Sequence, residues 1–283
     1  MSNKGDIRRN LVLGGAQFAE GYGKFVRTPK LTLEEVEEIL QFARINEITE
    51  IDLAQSYLNA VENLVKSSLS SMFWYSTKIN YASDSQNRIV STLYSELQSL
   101  KVPHFRTILI HNWASLDQAS RIQAIDFLNM LLSDGICEQT GVSLYSVEEM
   151  DFDGWVPNCI QAPLNFYNRD FLSDKVALKL ASEGTKFMAR SIFHQGVLLN
   201  PHLLEELPDL AIFKKFCTEN NFSNLQGAIS IYDSQSLFSS LTIGITSAYE
   251  LNEILCEPVN ACDLESFPTT NSVSPDFKDP RRW

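Results

Sequence analysis

"TLEEVEEILQFARINEITEID", residues 32 to 52, changes its hydrophobic period partway along. Through Asn46 the apolar residues recur at helical spacing behind Thr32, a capping residue, with glutamates in the first turn, so the stretch reads as a helix over 32–46. From Glu47 to Asp52 it is short and β-prone, and reads as a strand over 47–52. The same exchange recurs along the chain. "NLVLGG" (10–15) precedes it as strand one and "FWYSTKI" (73–79) follows as strand three. A helix near 86–100 leads to "RTILIH" (106–111), a helix near 115–133 to "EQTGVSL" (138–144), and a short helix to "CIQAPL" (159–164). "TKFMARSI" (185–192) and "SLTIGIT" (240–246) complete the strands, with helices near 170–182, 206–219, 222–232 and 247–256. Eight strands each followed by a helix, in roughly 250 residues, describe an α/β fold of the closed parallel kind, a (β/α)8 TIM barrel in a single domain over 1–256. A doubly wound open sheet would bring a G-x-G-x-x-G turn after an early strand, and "GGAQFAEGYG" (14–23) does not contain one.

Composition narrows the class of protein. With 44% hydrophobic and 20% charged residues over 283 positions, the chain is an ordinary globular protein with a substantial core. Its 23 Lys and Arg against 35 Asp and Glu give a net charge of -12, which disfavours a nucleic-acid partner. Five cysteines, Cys137, Cys159, Cys217, Cys256 and Cys262, include no C-x-x-C pair; they fit reduced thiols in a cytoplasmic setting and no structural metal. The apolar run near the N-terminus is too short for a signal peptide, and no run reaches membrane-spanning length.

In such a barrel the chemistry sits where strands end, at their C-terminal mouth. Strand two stops at Asp52 with Tyr57 in the turn beyond it, strand three stops near Lys78, and strand four stops at His111. Each has a plain structural reading. Asp52 is well placed to cap the next helix, Tyr57 to pack, Lys78 to snorkel or meet a carboxylate, and His111 to sit satisfied in a core. Together they bring an acid, a phenol, an ammonium and an imidazole to one face from neighbouring strands, and the combination favours a catalytic device.

These residues resemble the aldo-keto reductase family. "IDLAQSY" resembles its strand-two motif, Thr77–Lys78 its "TK", and "LIH" its "LxxH" ending at His111; "GVSLYS" (141–146), "IQAPLNFYNRDF" (160–171), "ARSIFHQGVLL" (189–199) and "IGITSAYELNEIL" (243–255) continue the match to the end of the barrel. The style of "GGAQFAEGYG" and "ARSIFHQGVLL" is similar to a bacterial branch often found with surface-polysaccharide genes. The resemblance implies NAD(P)H-dependent reduction of a carbonyl. Negative charge builds on the carbonyl oxygen during hydride transfer, so Tyr57 would donate the proton, Lys78 would favour its phenolate, Asp52 would hold Lys78, and His111 would orient the carbonyl.

The resemblance also places the cofactor. Ser143 and Gln161 match positions that hydrogen-bond the nicotinamide carboxamide; the family's next Asn is Leu144 here. Arg190 matches the residue stacked on the ring, usually aromatic, and Ser191 and Gly196 match the pyrophosphate stretch. Gly244, Thr246 and Ser247 match the adenosine-phosphate loop at a helix N-terminus. Relatives that prefer the 2′-phosphorylated cofactor carry Lys or Arg there, whereas this chain has none from Gly244 to Cys256 and has Glu250 and Glu253 instead, so NADH is expected over NADPH. The usual Gly after the tyrosine is Leu58, while Glu62 keeps the family's turn glutamate.

For the substrate, a small carbonyl compound with a sugar or nucleotide sugar as the branch resemblance suggests, barrel logic offers Phe18, Tyr22, Asn112, Trp113, Tyr145 and His194 as mouth residues; each fits packing equally well. The proline-containing tail, 257–283, reads as irregular; in the family this segment folds over the substrate mouth, which would involve Arg281, Arg282 and Trp283, and the residues alone fit a loose end equally well. A second reading keeps the cofactor but not the turnover: a nicotinamide-binding barrel acting as a redox sensor or scaffold. Leu58 and Leu144 leave it open. Oligomeric state has no signature in the sequence.

Overall fold

Strands of an all-parallel sheet are covered on both faces, so they carry near-continuous apolar runs, and closing such a sheet on itself removes its edges. The computed structural model, which describes residues 10–19, 21, 30–82, 85–258, 261–270 and 273–279, shows this arrangement. Strands β1 (Leu11–Gly14), β2 (Glu50–Asp52), β3 (Trp74–Ile79), β4 (Phe105–Ile110), β5 (Cys137–Ser143), β6 (Cys159–Pro163), β7 (Lys186–Arg190) and β8 (Phe238–Ile243) pair in chain order as a closed parallel barrel. β1 closes on β8 through Leu11↔Leu241, Val12↔Thr242 and Leu13↔Ile243.

The outer layer comprises α1 (Leu33–Ile45), α2 (Ala60–Leu64), α3 (Gln86–Leu100), α4 (Gln118–Ser133), α5 (Lys175–Ser182), α6 (Pro201–Glu206), α7 (Ala211–Glu219), α8 (Asn224–Asp233) and α9 (Ala248–Cys256). α1 begins with the capping box expected at Thr32, whose hydroxyl accepts from Glu35 N–H while the Glu35 carboxylate accepts from Thr32 N–H. Its buried face is Val36, Ile39, Leu40 and Ala43. Three connections depart from the sequence expectation. The stretch after β5 forms only a single 3-10 turn, Val147–Glu149, and the helix expected near 170–182 is a 3-10 turn followed by α5. The helix expected near 206–219 breaks at Pro208, which lacks the N–H to continue α6, and resumes as α7.

Residues in register on parallel strands share a face, which separates the two parts of the core. Leu109 pairs with Lys78 and Gly141, and Gly141 with Cys159, so Leu109, Cys159 and Met188 form a small apolar plug on the face that carries Lys78. The main core lies between the strands and the helices. Gly141, in register with Leu109 and Cys159 of the plug, has no room for a side chain: a Cβ would lie 1.8 Å from the carbonyl oxygen of Cys159.

The described part of the tail is ordered by packing. Phe267 is buried and stacks on Phe216 with centroids 4.9 Å apart, Arg169 donates to Pro268 O at 2.6 Å, and Nε2 of His194 lies 2.9 Å from the carbonyl oxygen of Phe277 in the short helix α10 (Pro275–Lys278). These contacts hold the tail against the β6 and β7 loops. Arg281, Arg282 and Trp283, for which the family resemblance implies a place over the substrate mouth and the residues alone fit a loose end equally well, lie outside the described residues, as does Tyr22. No described helix is long and apolar enough to cross a membrane.

Candidate active site

Asp52 and Lys78 end neighbouring strands on the interior face, where the ammonium is 2% exposed and would be costly without partners. All three of its N–H groups find acceptors: Asp52 Oδ1 at 2.6 Å, Asp52 Oδ2 at 2.7 Å and Leu53 O at 3.0 Å. Tyr57 stands over this pair, its ring centroid 5.5 Å from Lys78 Nζ. His111 faces the same space from the end of β4. Burial first, then the positive charges of Lys78 and Arg190, lower its pKa to about 4 against the opposing pull of Asp52, so the ring is neutral near pH 7. Four residues from three neighbouring strands therefore converge on one cleft of about 910 Å³.

The loop that carries Tyr57 absorbs the departure at Leu58. The left-handed residue of the turn is Asn59, with φ 64°, and Leu58 keeps an ordinary φ with its side chain 74% exposed. Asparagine tolerates this conformation better than other non-glycine residues, so the turn does not need a glycine after the tyrosine.

Next to the four lie buried polar atoms with no partner. Ser143 and Gln161 are in register, and the Ser143 hydroxyl and Gln161 Oε1 are both buried without a hydrogen bond. Gln161 Nε2 donates to Asp52 Oδ2 at 3.0 Å, which fixes the amide with its oxygen left over. A hydroxyl beside an amide oxygen is the donor and acceptor pair that a carboxamide needs, so the residues fit a nicotinamide at this point. Thr242 Oγ1, also buried and unpartnered, lies on the cleft wall farther along β8.

The rest of the cleft follows the loops after β7 and β8. Ser191 (φ 62°) and Gln195 (φ 54°) line it in left-handed conformations that cost a non-glycine residue, of the sort held at ligand sites, while Gly196 (φ 83°) adopts one without strain. At the far end the Glu250 carboxylate accepts from Thr246 N–H at 2.6 Å and Thr246 Oγ1 at 3.0 Å, while Ser247 Oγ accepts from Glu250 N–H at 3.1 Å. The Glu250 carboxylate thus folds back onto the loop that precedes α9. Glu253 also lines the cleft and hydrogen-bonds Tyr249. Gly244 serves close approach: a Cβ there would lie 2.2 Å from the Gln17 amide, whose side chain crosses the loop.

Several expected mouth residues are elsewhere. Phe18 is 2% exposed in the core, and its carbonyl accepts from Asn63. Trp113 is fully buried against Phe152, Trp155 and the Arg121 guanidinium. His194 is fully buried between Tyr167 and Phe277, where desolvation lowers its pKa to about 4; it anchors the tail and does not line the cleft. Asn112 borders a side chamber of about 300 Å³, but its amide is committed to Tyr81 N–H and O. Tyr145 does line both spaces, and Arg190 stacks on it with the guanidinium carbon 4.2 Å from the ring centroid. Gln17, Gln195, His202, Leu225, Thr242 and Ile254 also line the cleft wall. Nothing in their local pattern marks them, because loops set their direction. Among the described residues there is no group of three or more His, Cys, Asp or Glu able to hold a metal ion.

Comparisons with known proteins agree with this architecture. The model of the Aldo/keto reductase family matches residues 10–254. A Pseudomonas aeruginosa structure assigned to the aldo-keto reductases superposes with a TM-score of 0.65 at 16% identity, covering 87% of this chain and 88% of that one. Glycerol dehydrogenase from Gluconobacter oxydans superposes at 0.66 and 19% identity, covering 90% of this chain and 87% of that one. At such identities the likeness speaks to the fold. No curated protein sequence matches the chain.

Proposed function

Because the chain belongs to the aldo/keto reductase family, and so is an NAD(P)-dependent oxidoreductase of carbonyl compounds, we propose that Asp52, Tyr57, Lys78 and His111 carry the reaction, with Tyr57 as proton donor. The observation that supports this most is the buried ammonium of Lys78, locked on Asp52 and held 5.5 Å from the Tyr57 ring. When bound, a dihydronicotinamide held at Ser143 and Gln161 supplies the hydride. Everything else falls to the chain's own residues. Tyr57 holds the proton that the carbonyl oxygen takes up, and the fixed positive charge of Lys78 stabilises the phenolate left behind. Asp52 keeps that charge in place. His111, neutral, offers one N–H to the same oxygen and orients the carbonyl.

The cofactor reading is NADH over NADPH. Its support is Glu250, which occupies the backbone and hydroxyl donors of Thr246 and would meet a 2′-phosphate with like charge, in a segment without Lys or Arg from Gly244 to Cys256. For the substrate the reading is a hydroxyl-bearing carbonyl such as a sugar or nucleotide sugar. The side chamber supports it: Ser56, Asn80, Ser115 and Glu149 line it beside His111, a wall suited to hydroxyl groups. Titration of the protein with NADH and NADPH, followed by nicotinamide fluorescence and thermal stabilisation, tests the cofactor reading. The expected result is tighter NADH binding; equal or tighter NADPH binding refutes the role given to Glu250. Tyr57→Phe is expected to keep cofactor affinity and lose about 10²–10⁴-fold in rate on any carbonyl the wild type reduces. Full activity in that variant would exclude Tyr57 as donor.

A further inference from the structure

The cleft contains a positive charge that pairs directly with no carboxylate among the described residues, Glu250 and Glu253 standing elsewhere on its wall. Lys78 is neutralised by Asp52, and His111 is neutral. Arg190 ends β7 in register with Pro163, two residues along β6 from Gln161, and its half-buried side chain lines the cleft. It donates to Leu144 O at 2.9 Å and to Ser191 Oγ at 3.3 Å, and its guanidinium carbon lies over Tyr145, 4.2 Å from the ring centroid. Those three contacts hold it, and none is anionic. Among the described residues it meets no carboxylate within ion-pair distance. Its field already reaches His111, whose positive form it disfavours.

We propose that Arg190, braced on Tyr145, is a charge-selective platform at the redox end of the cofactor, favouring the neutral dihydronicotinamide over the cationic nicotinium ring. The inference rests on the nicotinamide reading above and deepens it. Hydride loss converts a neutral ring into one carrying a full positive charge, and a fixed cation beside it repels the oxidised form while leaving the reduced form untouched. Arginine suits the task because its planar group can stack on an aromatic ring and does not shed its charge by deprotonation. The protein therefore binds NADH more tightly than NAD⁺, oxidised cofactor leaves readily after turnover, and hydride donation from the bound cofactor is less favourable than over an uncharged platform.

The test is the ratio of dissociation constants for NAD⁺ and NADH, measured on the full chain by isothermal calorimetry and by nicotinamide fluorescence. Wild type is compared with Arg190→Lys, Arg190→Gln and Arg190→Phe. The expected wild-type ratio favours NADH, Arg190→Gln and Arg190→Phe shift it toward NAD⁺ by about tenfold, and Arg190→Lys retains the bias because it retains the charge. A ratio in the Gln and Phe variants equal to that of wild type, with binding intact, overturns the platform while leaving the reductase reading standing. Failure of wild type to bind either form overturns both.

Discussion

Replacing Lys78 by methionine strands a carboxylate in the barrel mouth, and the structure sets the size of the effect. Lys78 is 2% and Asp52 3% exposed, and the pair shares two bonds of 2.6 and 2.7 Å. After the substitution Asp52 keeps only the Gln161 amide at 3.0 Å as a side-chain donor. Breaking a buried pair from one side costs about 3–5 kcal/mol, whereas replacing both partners by neutral groups of similar shape is close to neutral. Lys78→Met should therefore lower the melting temperature by roughly 10 °C, at about 2–4 °C per kcal/mol for a chain of this size. Asp52→Asn in the same background should recover most of that loss. Both proteins are expected to be inactive, so recovered stability without recovered activity separates the structural role of the pair from the catalytic one proposed for it. Scanning calorimetry at pH 7 with urea midpoints as a cross-check reads the cycle. A loss below about 1 kcal/mol in the single variant, or a double variant that simply sums the two single losses, would refute the buried, mutually dependent pair.

Three further outcomes are expected. His111 and His194 both have native pKa values lowered to about 4, so the unfolded chain binds more protons than the native one between pH 6.5 and 4. Stability should be complete above pH 6.5, fall as pH drops through that window and level off below it, and urea midpoints of His194→Gln should show a shallower decline; an unchanged slope counts against the buried neutral ring. Gly141→Ala puts a methyl 1.8 Å from a backbone oxygen in the next strand, so it should cost about 3 kcal/mol or more, or prevent folding, by forcing β5 from β6; a thermal midpoint within about 2 °C of wild type would show that the strands yield instead. Glu250→Gln removes the negative charge at the start of α9, and calorimetric titration should show NADPH affinity rising about tenfold relative to NADH; an unchanged ratio would mean that the phosphate does not reach this end.

The fold was legible because periodicity is local. The switch from helical spacing to a short β-prone run at Glu47 is written in neighbouring residues, and eight such runs with helical stretches between them leave the closed parallel barrel as the economical arrangement. Strand ends were legible for the same reason, and Asp52, Lys78 and His111 stand where apolar runs stop. Side-chain direction and burial are not local. Trp113 follows His111 by two residues yet turns into an aromatic cluster, and His194 sits on a cleft-lining loop with its ring turned toward the tail.

By itself the sequence determined the alternation of strands and helices, the acidic balance, the absence of basic residues from 244 to 256, and the chemistry available at each strand end. Only the tertiary structure decided the partners. Lys78 meets Asp52 across 26 residues of chain because β2 and β3 pair as neighbours, and Gln161 meets Asp52 across 109 because barrel closure brings the ends of non-adjacent strands β2 and β6 around one opening. The same closure leaves Ser143 and Gln161 with unpaired atoms, sets Arg190 against Tyr145, and turns Glu250 back onto Thr246. Residue type is a local property of the chain, while desolvation and pairing depend on what lies across the barrel, and here those interactions make an ammonium, a phenol and an imidazole into one site.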